Sequence, residues 1–175
     1  MKTALRRLIA NFAKAGGSKE AAGNAGELFA RKWFEREGME YFRFPQSKGT
    51  KPHSLAARGG KRPDFAVALR NVDSLVYVDA KFHMTNDLTE FVLAESELEQ
   101  FREFRIWVKD ECGDDGDRDV LFMLYPKEIN GDRFVWVHLD EFSDAELVVI
   151  ADEPARKLSL NGREGLWVDN VARGA

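Results

Sequence analysis

The sequence predicts an α/β fold in which helices flank a central β-sheet. Amphipathic stripes predict helices over residues 3–15 and roughly 19–37. Strands are expected at 40–44 and at 120–125. Between them, a hairpin is expected in which the first strand begins at Asp64 and the second ends at Phe82, and a helix follows it. From the second helix onward the predicted order is therefore helix, strand, strand, strand, helix, strand.

The first two helices are bounded by residues that favour helix ends. Gly16 and Gly17 end the first helix, Ser18 is a candidate N-cap for the second, and Gly38 ends it. The first helix is basic and amphipathic, so it is expected to lie on the surface. A mitochondrial-type presequence is the alternative interpretation of this segment.

The third helix is predicted to begin at Asp87, where Glu90 would complete a box-like cap, and to run to about Val108. Its predicted inward residues are Phe91, Leu98, Phe101 and Phe104.

Two strands are expected after this helix. The continuous apolar run Val120–Tyr125 predicts a buried strand. The Asn130–Gly131 turn signal precedes another strand, Phe134–His138. A short segment, Asp144–Ile150, and a final apolar stretch complete the chain.

The composition indicates one domain and excludes several classes of protein. The chain has 175 residues, 44% of them hydrophobic, which is enough for a sizeable core. A single cysteine, Cys112, excludes an internal disulfide framework and suits a reducing, cytoplasmic compartment. No apolar run approaches the roughly 18 residues that span a bilayer, so no membrane association is expected.

The hairpin carries the polar residues of greatest chemical interest. Side chains in a strand alternate between faces, so Asp79 and Lys81 share a face and end an otherwise apolar strand. Asp64 begins the neighbouring strand, within reach of both. Two carboxylates and an ammonium at one strand end predict a site for a divalent cation beside an activated water. His83 follows on the same face and is either a further contact or a surface histidine.

The segment 45–62 is the one long loop that the sequence predicts. Six basic residues and no acidic residue lie between Arg43 and Arg62, although the net charge of the whole chain is -4. This asymmetry predicts contact with nucleic-acid phosphates. The expected contact residues are Lys48, Lys51, Arg58, Lys61 and Arg62.

The element order, with Pro63-Asp64 and Asp79-x-Lys81 on the middle strands, resembles the PD-(D/E)XK nuclease superfamily, which includes restriction endonucleases and Holliday junction resolvases. Glu27 in Gly-Glu-Leu-Phe-Ala is a further match, because many members place an acidic residue on the preceding helix. The resemblance covers roughly residues 18–125. It implies a restriction-endonuclease-like core, with a central mixed sheet flanked by helices, inside a single domain of residues 1–175 that also has an N-terminal helix and a C-terminal extension.

The resemblance implies a Mg²⁺- or Mn²⁺-dependent endonuclease that acts on DNA. Asp64, Asp79, the carbonyl of Ala80 and Glu27 would hold the metal, and Lys81 would orient the attacking water and steady the transition state. Some members also carry a glutamine on the helix after the D-x-K strand, a position that Gln100 matches. Gln100 is followed four residues later by Phe104, where those members have a tyrosine. Many members dimerise to cut both strands, so a homodimer is one expected state.

Several alternatives remain open at this point. Asp79 and Lys81 would also be explained as an exposed ion pair at the end of an edge strand, and Glu27 as the partner of Arg31 one helical turn away. Glu20 is the competing helical carboxylate, in a first turn that favours acidic residues. The same fold also suits a ribonuclease, or a catalytically inactive module that binds nucleic acid or protein.

Overall fold

The computed structural model describes residues 25–47, 49–70, 74–112 and 119–170. The predicted helix at 3–15, the Ser18 cap and Glu20 lie outside the described residues. The described helices are α1 (Ala25–Arg36), α2 (His53–Ala57) and α3 (Glu95–Cys112). The described strands are β1 (Tyr41–Arg43), β2 (Phe65–Ala68), β3 (Leu75–His83), β4 (Glu90–Ala94), β5 (Val120–Pro126), β6 (Arg133–His138), β7 (Glu146–Ile150), β8 (Glu153–Ser159) and β9 (Trp167–Asp169).

The larger sheet is mixed, which confirms the predicted α/β class. Its strand order is β1-β2-β3-β5-β6-β9. Strands β3 and β5 are parallel, and every other neighbouring pair in this sheet is antiparallel. The parallel pair needs a crossover, and that crossover contains α3. The predicted hairpin is present as β2 and β3, and its expected turn near Asn71–Asp73 lies outside the described residues.

Strand β3 is the centre of the fold because both of its faces are covered. Leu75 and Tyr77 belong to a large apolar cluster beneath α3, where the rings of Tyr77 and Phe104 lie 5.0 Å apart. Val78 and Ala80 belong to a second cluster beneath α1. The alternation predicted from the sequence is therefore correct, and it puts Asp79 and Lys81 on the α3 side.

The predicted start of the third helix at Asp87 is wrong. Asn86, Asp87 and Leu88 have φ angles of 48°, 56° and 66°, a left-handed turn that no right-handed helix contains. Residues Glu90–Ala94 then form β4, and the helix begins only at Glu95. Phe91 is buried as predicted, but it projects from a strand. Its partner strand, β8, comes from the C-terminal segment, and local helix-like spacing did not reveal that pairing.

The residues beyond 125 complete both sheets. Strand β6 follows the Asn130–Gly131 turn as predicted and pairs with β5, and β9 pairs with β6. Strands β4, β8 and β7 form a separate antiparallel sheet in that order. The C-terminal extension thus supplies β6 and β9, the last two strands at one edge of the larger sheet, and two of the three strands of the smaller sheet.

The segment 45–62 is anchored on α3. It contains the short helix α2, whose Leu55 is fully buried. The indole nitrogen of Trp107 donates a hydrogen bond to the hydroxyl of Ser54 at 2.8 Å. The backbone N–H of Lys61 donates to the carbonyl of Gln100 at 2.9 Å. Among the described residues, no helix combines the length and apolar character needed to cross a lipid bilayer.

We expect Gly131→Ala to destabilise the protein more than Gly162→Ala. Both glycines have left-handed φ angles, 78° and 77°, so each alanine incurs about 1–2 kcal/mol of backbone strain. A Cβ at Gly131 would also collide with the ring of Phe29, whereas a Cβ at Gly162 meets no atom within 4 Å. Overpacking should add about 1–3 kcal/mol at Gly131. Urea unfolding of both variants measures the difference, and equal losses would contradict the role of Phe29.

Candidate functional site

A cavity of about 470 Å³ lies where β3 extends beyond β2. The β2–β3 ladder ends with Phe65 opposite Val78, whereas β3 continues along β5 as far as His83. The missing neighbour leaves this end of β3 open on one side. The lining residues are Glu27, Gln46, Lys61, Arg62, Asp64, Asp79, Ala80, Lys81, Phe82, His83 and Lys127. Asp64, Asp79 and Lys81, which the sequence predicts to converge, therefore meet in one cavity.

Asp64 is fixed by both its backbone and its side chain. Its N–H donates to the carbonyl of Val78 at 3.0 Å, and its Oδ2 accepts the N–H of Ala80 at 2.8 Å. Its carboxylate thus accepts the hydrogen bond that a backbone carbonyl would accept if β2 extended further along β3. The side-chain amide of Gln46 donates to the carbonyl of Pro63 at 3.1 Å and lies 3.5 Å from Asp64 Oδ1.

The backbone of Ala80 also faces this side of β3. In a strand, the N–H and C=O groups of one residue point in the same direction across the sheet. Since the Ala80 N–H is directed at Asp64, its carbonyl oxygen is directed toward the same open edge. This orientation is compatible with the predicted role of the Ala80 carbonyl as a metal ligand.

Asp79 and Lys81 form a buried ion pair. Lys81 Nζ lies 2.6 Å from Asp79 Oδ2, and their side chains are 8% and 4% exposed. The strand that carries them is in the middle of the sheet. The alternative of a solvent-exposed pair on an edge strand is therefore wrong. A buried pair needs further polar partners to compensate for the loss of solvent.

Glu97 supplies such a partner, although its role was not evident from the sequence pattern. Its Oε1 accepts hydrogen bonds from Lys81 at 2.7 Å and from Lys61. Glu97 was overlooked because the predicted helix began eight residues too early and placed it mid-helix. An acidic residue in the first turn of the helix after a D-x-K strand would have been the signal, since that turn lies beside the strand end.

The charges in the cavity shift the protonation of several groups. Burial and the neighbouring Asp79 raise the pKa of Asp64 to about 8, and Glu27 adds to this, although the Ala80 N–H and Lys81 oppose it. Burial alone would lower the pKa of Lys81, but Asp79 and Glu97 raise it above its usual value. Burial likewise opposes ionisation of Glu97, yet Lys81 and Lys61 bring its pKa down to about 2. Lys81 is thus held as an ammonium between two carboxylates.

Glu27 reaches the cavity from α1, as predicted, but it is already bound by a cation. Nη2 and Nε of Arg43 lie 2.7 Å and 3.0 Å from its Oε2. Arg31, the partner considered from the sequence, lies 3.9 Å from Glu35. Glu27 is buried, and its charge contributes to the raised pKa of Asp64. It is therefore a neighbour of the two aspartates and is oriented by Arg43.

The predicted nucleic-acid contacts are dispersed. Lys61 and Arg62 line the cavity, although Arg62 is buried and donates to the hydroxyl of Thr50 at 2.9 Å. Arg58 pairs with Asp110 at 2.6 Å, away from the cavity lining. Lys51 is half-buried, and Lys48 lies outside the described residues.

Two further predicted residues have different outcomes. His83 lines the cavity at its exposed rim, where partial desolvation and the charge of Lys81 lower its pKa. The side chain of Gln100 is exposed and does not belong to the cavity lining. Its backbone carbonyl instead anchors Lys61.

Lys127 is a cation of the cavity lining that the sequence pattern did not reveal. It follows β5, and the pairing of His83 with Pro126 places it beside the end of β3. It is exposed, lines the cavity and has its ammonium 5.8 Å from the centre of the Phe82 ring. Ligands of α/β proteins often bind beyond the carboxyl ends of parallel strands, which was the available signal.

The donor set fits a hard cation that keeps part of its water. Within the described parts of the chain, no group of three or more histidine, cysteine, aspartate or glutamate side chains is arranged as a metal site. Mg²⁺, however, is commonly bound by one or two carboxylates, with water and phosphate oxygens completing its shell. Asp64, Asp79 and the Ala80 carbonyl beside an open cavity meet that requirement.

Comparison with known proteins yields no relative: no family model, no curated protein and no solved structure matches the chain. The resemblance to the PD-(D/E)XK superfamily remains a prediction from the residues that carry it.

We expect Asp64→Asn to stabilise the metal-free protein increasingly as pH rises from 4 to 8. Because the folded pKa of about 8 exceeds the ordinary 3.8, the native state keeps a proton that the unfolded state has released across this window. Stability of the wild type therefore falls as pH rises, and a neutral asparagine removes that dependence. The gain should be below about 1 kcal/mol at pH 4 and on the order of 5 kcal/mol at pH 8, since each unit of pKa difference corresponds to about 1.4 kcal/mol.

Urea unfolding in chelator at several pH values measures this effect. The exposed Asp132→Asn variant is the control and should show no such trend, because its carboxylate remains in solvent. A gain for Asp64→Asn that stays constant with pH would contradict the electrostatic cause.

Proposed function

We propose that this protein is a Mg²⁺- or Mn²⁺-dependent nuclease with a restriction-endonuclease-like core, and that DNA is its substrate. The observation that carries the proposal is the convergence of Asp64, Asp79 and Lys81 in one cavity, with the ammonium held between two carboxylates. The topology gives support as well, since an antiparallel β1-β2-β3 unit is followed by α3 and by β5 parallel to β3.

The energetic character of the cavity favours catalysis over simple binding. Asp64 is buried beside two other carboxylates, an arrangement that destabilises its charged form. Groups with strongly shifted pKa values in a cleft are concentrated at functional sites. A module that only binds phosphates requires cations and has no need for acidic residues buried beneath them. This contrast favours the enzyme over the inactive binding module.

Each group in the cavity has a role in the proposed reaction. A bound Mg²⁺ would supply Lewis acidity and ready generation of hydroxide from water at neutral pH. Asp64, Asp79 and the Ala80 carbonyl would hold it, and Glu27, oriented by Arg43, would add negative charge or complete the site. Lys81 would donate hydrogen bonds to the phosphate oxygens that gain charge in the transition state. Since its pKa is raised, Lys81 acts here as a cation and not as the general base.

The cations at the rim define a path for the phosphate backbone. Lys61 lies on one side of the carboxylates, and Lys127 lies beyond the end of β5. His83 stands at the rim as a further hydrogen-bonding group. A nucleic-acid strand placed across the end of β3 would therefore meet positive charge both at the scissile phosphate and at the phosphates beside it. Contacts of this type position a backbone without selecting a sequence.

We expect Asp79→Asn and Lys81→Ala to separate metal binding from catalysis. Asp79→Asn should weaken Mg²⁺ binding, because a neutral amide replaces an anionic ligand. Lys81→Ala should preserve metal binding or tighten it, because it removes a nearby positive charge. Both variants should lose a factor of about 10²–10³ or more in turnover. Calorimetric metal titration and a cleavage assay on the same preparations test these expectations.

The cleavage assay should include plasmid, single-stranded DNA and RNA, with and without Mg²⁺ or Mn²⁺. Lys109→Ala, on the exposed surface of α3, is the control and should cleave like the wild type. Wild-type cleavage rates in folded Asp79→Asn and Lys81→Ala would refute the proposed function. Preferential cleavage of RNA would assign the same chemistry to a ribonuclease.

We expect Lys61→Ala and Lys127→Ala each to reduce the salt dependence of nucleic-acid binding. Every lost phosphate contact removes about one counterion, so the slope of log affinity against log salt should become shallower by about 0.9. Binding should weaken equally for unrelated sequences. Fluorescence anisotropy in the catalytically impaired Asp79→Asn background measures the slope. An unchanged slope for either lysine would remove that residue from the proposed path.

A further inference from the structure

Glu97 joins two lysines at a single atom. Its Oε1 accepts hydrogen bonds from both Lys81 and Lys61, so one carboxylate oxygen stands between two ammonium groups. The aromatic ring of Phe101 lies beneath the same pair, 5.0 Å from Lys61 Nζ and 5.5 Å from Lys81 Nζ. The two cations are thus fixed relative to each other by residues of α3.

The two carboxylates that bind Lys81 are placed differently. Asp79 lines the cavity, so a cation bound there would compete with Lys81 for its carboxylate. Glu97 does not belong to the cavity lining, and it approaches Lys81 from α3. An interaction of Asp79 with a ligand in the cavity weakens its hold on Lys81. Glu97 is free of that competition.

We propose that Glu97 is a positioning residue that keeps the Lys81 ammonium directed at the substrate phosphate while Asp79 is engaged. This inference rests on the proposed nuclease function. Lys61 is the partner that exchanges with substrate, because its side chain is 38% exposed and that of Lys81 only 8%. The Lys61 backbone stays anchored to Gln100 while its ammonium moves.

Glu95 provides a matched control for a purely structural role. It lies in the same first turn of α3, its side chain is 25% exposed against 24% for Glu97, and it also binds two cations. Those cations are Arg102 at 3.1 Å and Arg156 at 2.7 Å, and neither lines the cavity. If Glu97 only stabilised the helix, Glu95→Gln and Glu97→Gln would have similar effects.

The test combines steady-state kinetics with a double-mutant cycle. We expect Glu97→Gln to lower kcat about 10-fold to 100-fold with little change in KM, because the loss arises after the substrate is bound. Glu95→Gln should leave kcat unchanged. In the Lys81→Ala background, Glu97→Gln should cause no further loss of kcat, since the group through which it acts is gone.

Three results would overturn the inference: a wild-type kcat for Glu97→Gln, an equal loss for Glu95→Gln, or a full multiplicative loss in the Lys81→Ala background. Thermal unfolding checks that each variant is folded. If Glu97→Gln is unstable, Glu97→Asp replaces it, which keeps the charge but shortens the side chain. The kcat of that variant should fall below those of the wild type and of Glu95→Gln, because the shorter side chain holds Lys81 less accurately, and a wild-type kcat would overturn the inference.

A second measurement does not depend on activity. With Mg²⁺ added to engage Asp79, NMR detection of the lysine ammonium groups should show a Lys81 signal protected from exchange in the wild type and in Glu95→Gln, and lost in Glu97→Gln. If the wild type cleaves no substrate, the proposed function fails, and this signal alone decides whether Glu97 fixes Lys81. If the wild type cleaves and the signal survives in Glu97→Gln, only the positioning role fails.

Discussion

The ammonium of Lys81 balances the buried charge on which the site depends. Transfer of an ion from water into a protein interior costs several kcal/mol unless it is paired and hydrogen-bonded. Here one lysine contacts Asp79 and Glu97, whose side chains come from β3 and α3. The ion pairs therefore also join the central strand to the helix that covers it. Asp64 receives the least compensation, which is why it stays protonated near neutral pH in the absence of a cation.

The arrangement of strands explains why these residues meet at this point. Strand β3 pairs with β2 from Leu75 to Val78 and with β5 from Tyr77 to His83, so only β5 accompanies it beyond Val78. A carboxylate oxygen of Asp64 accepts the N–H of Ala80, so this donor keeps a partner where the β2 ladder ends. The remaining backbone of β3 borders the cavity. A functional site on paired strands and a helix is held more accurately than one on loops.

The sequence predicted the centre of the fold better than its margins. Period-two alternation identified the faces of β3, and with them the shared position of Asp79 and Lys81, because a local repeat determines which way each side chain points. It could not predict β4, since the strand depends on pairing with β8, more than sixty residues away along the chain. Because the helix was predicted to begin at Asp87 and not at Glu95, the position of Glu97 in its first turn was not recognised. Lys127 was overlooked because its position depends on the parallel pairing of β3 with β5.

The local charge pattern shows that the 45–62 segment is basic, but it does not show which of its side chains can contact a ligand in the folded protein. The six basic residues from Arg43 to Arg62 appear uniform in the sequence, yet Arg43 orients Glu27, Arg58 binds Asp110 and Arg62 is buried. An acidic residue distant in the chain can neutralise each of them after folding. For this reason a basic segment predicts an electrostatic tendency and does not identify the individual contacts.

The attachment of the 45–62 segment to α3 has a consequence for the entropy of association. Leu55, Ser54 and the backbone of Lys61 are already fixed by Trp107, Gln100 and the core before any ligand arrives. Immobilising a flexible side chain at an interface costs about 0.5–1.5 kcal/mol, and a flexible backbone costs more. In this protein that ordering is completed during folding. The backbone around Lys61 is accordingly preorganised, and its ordering does not subtract from the affinity for a ligand.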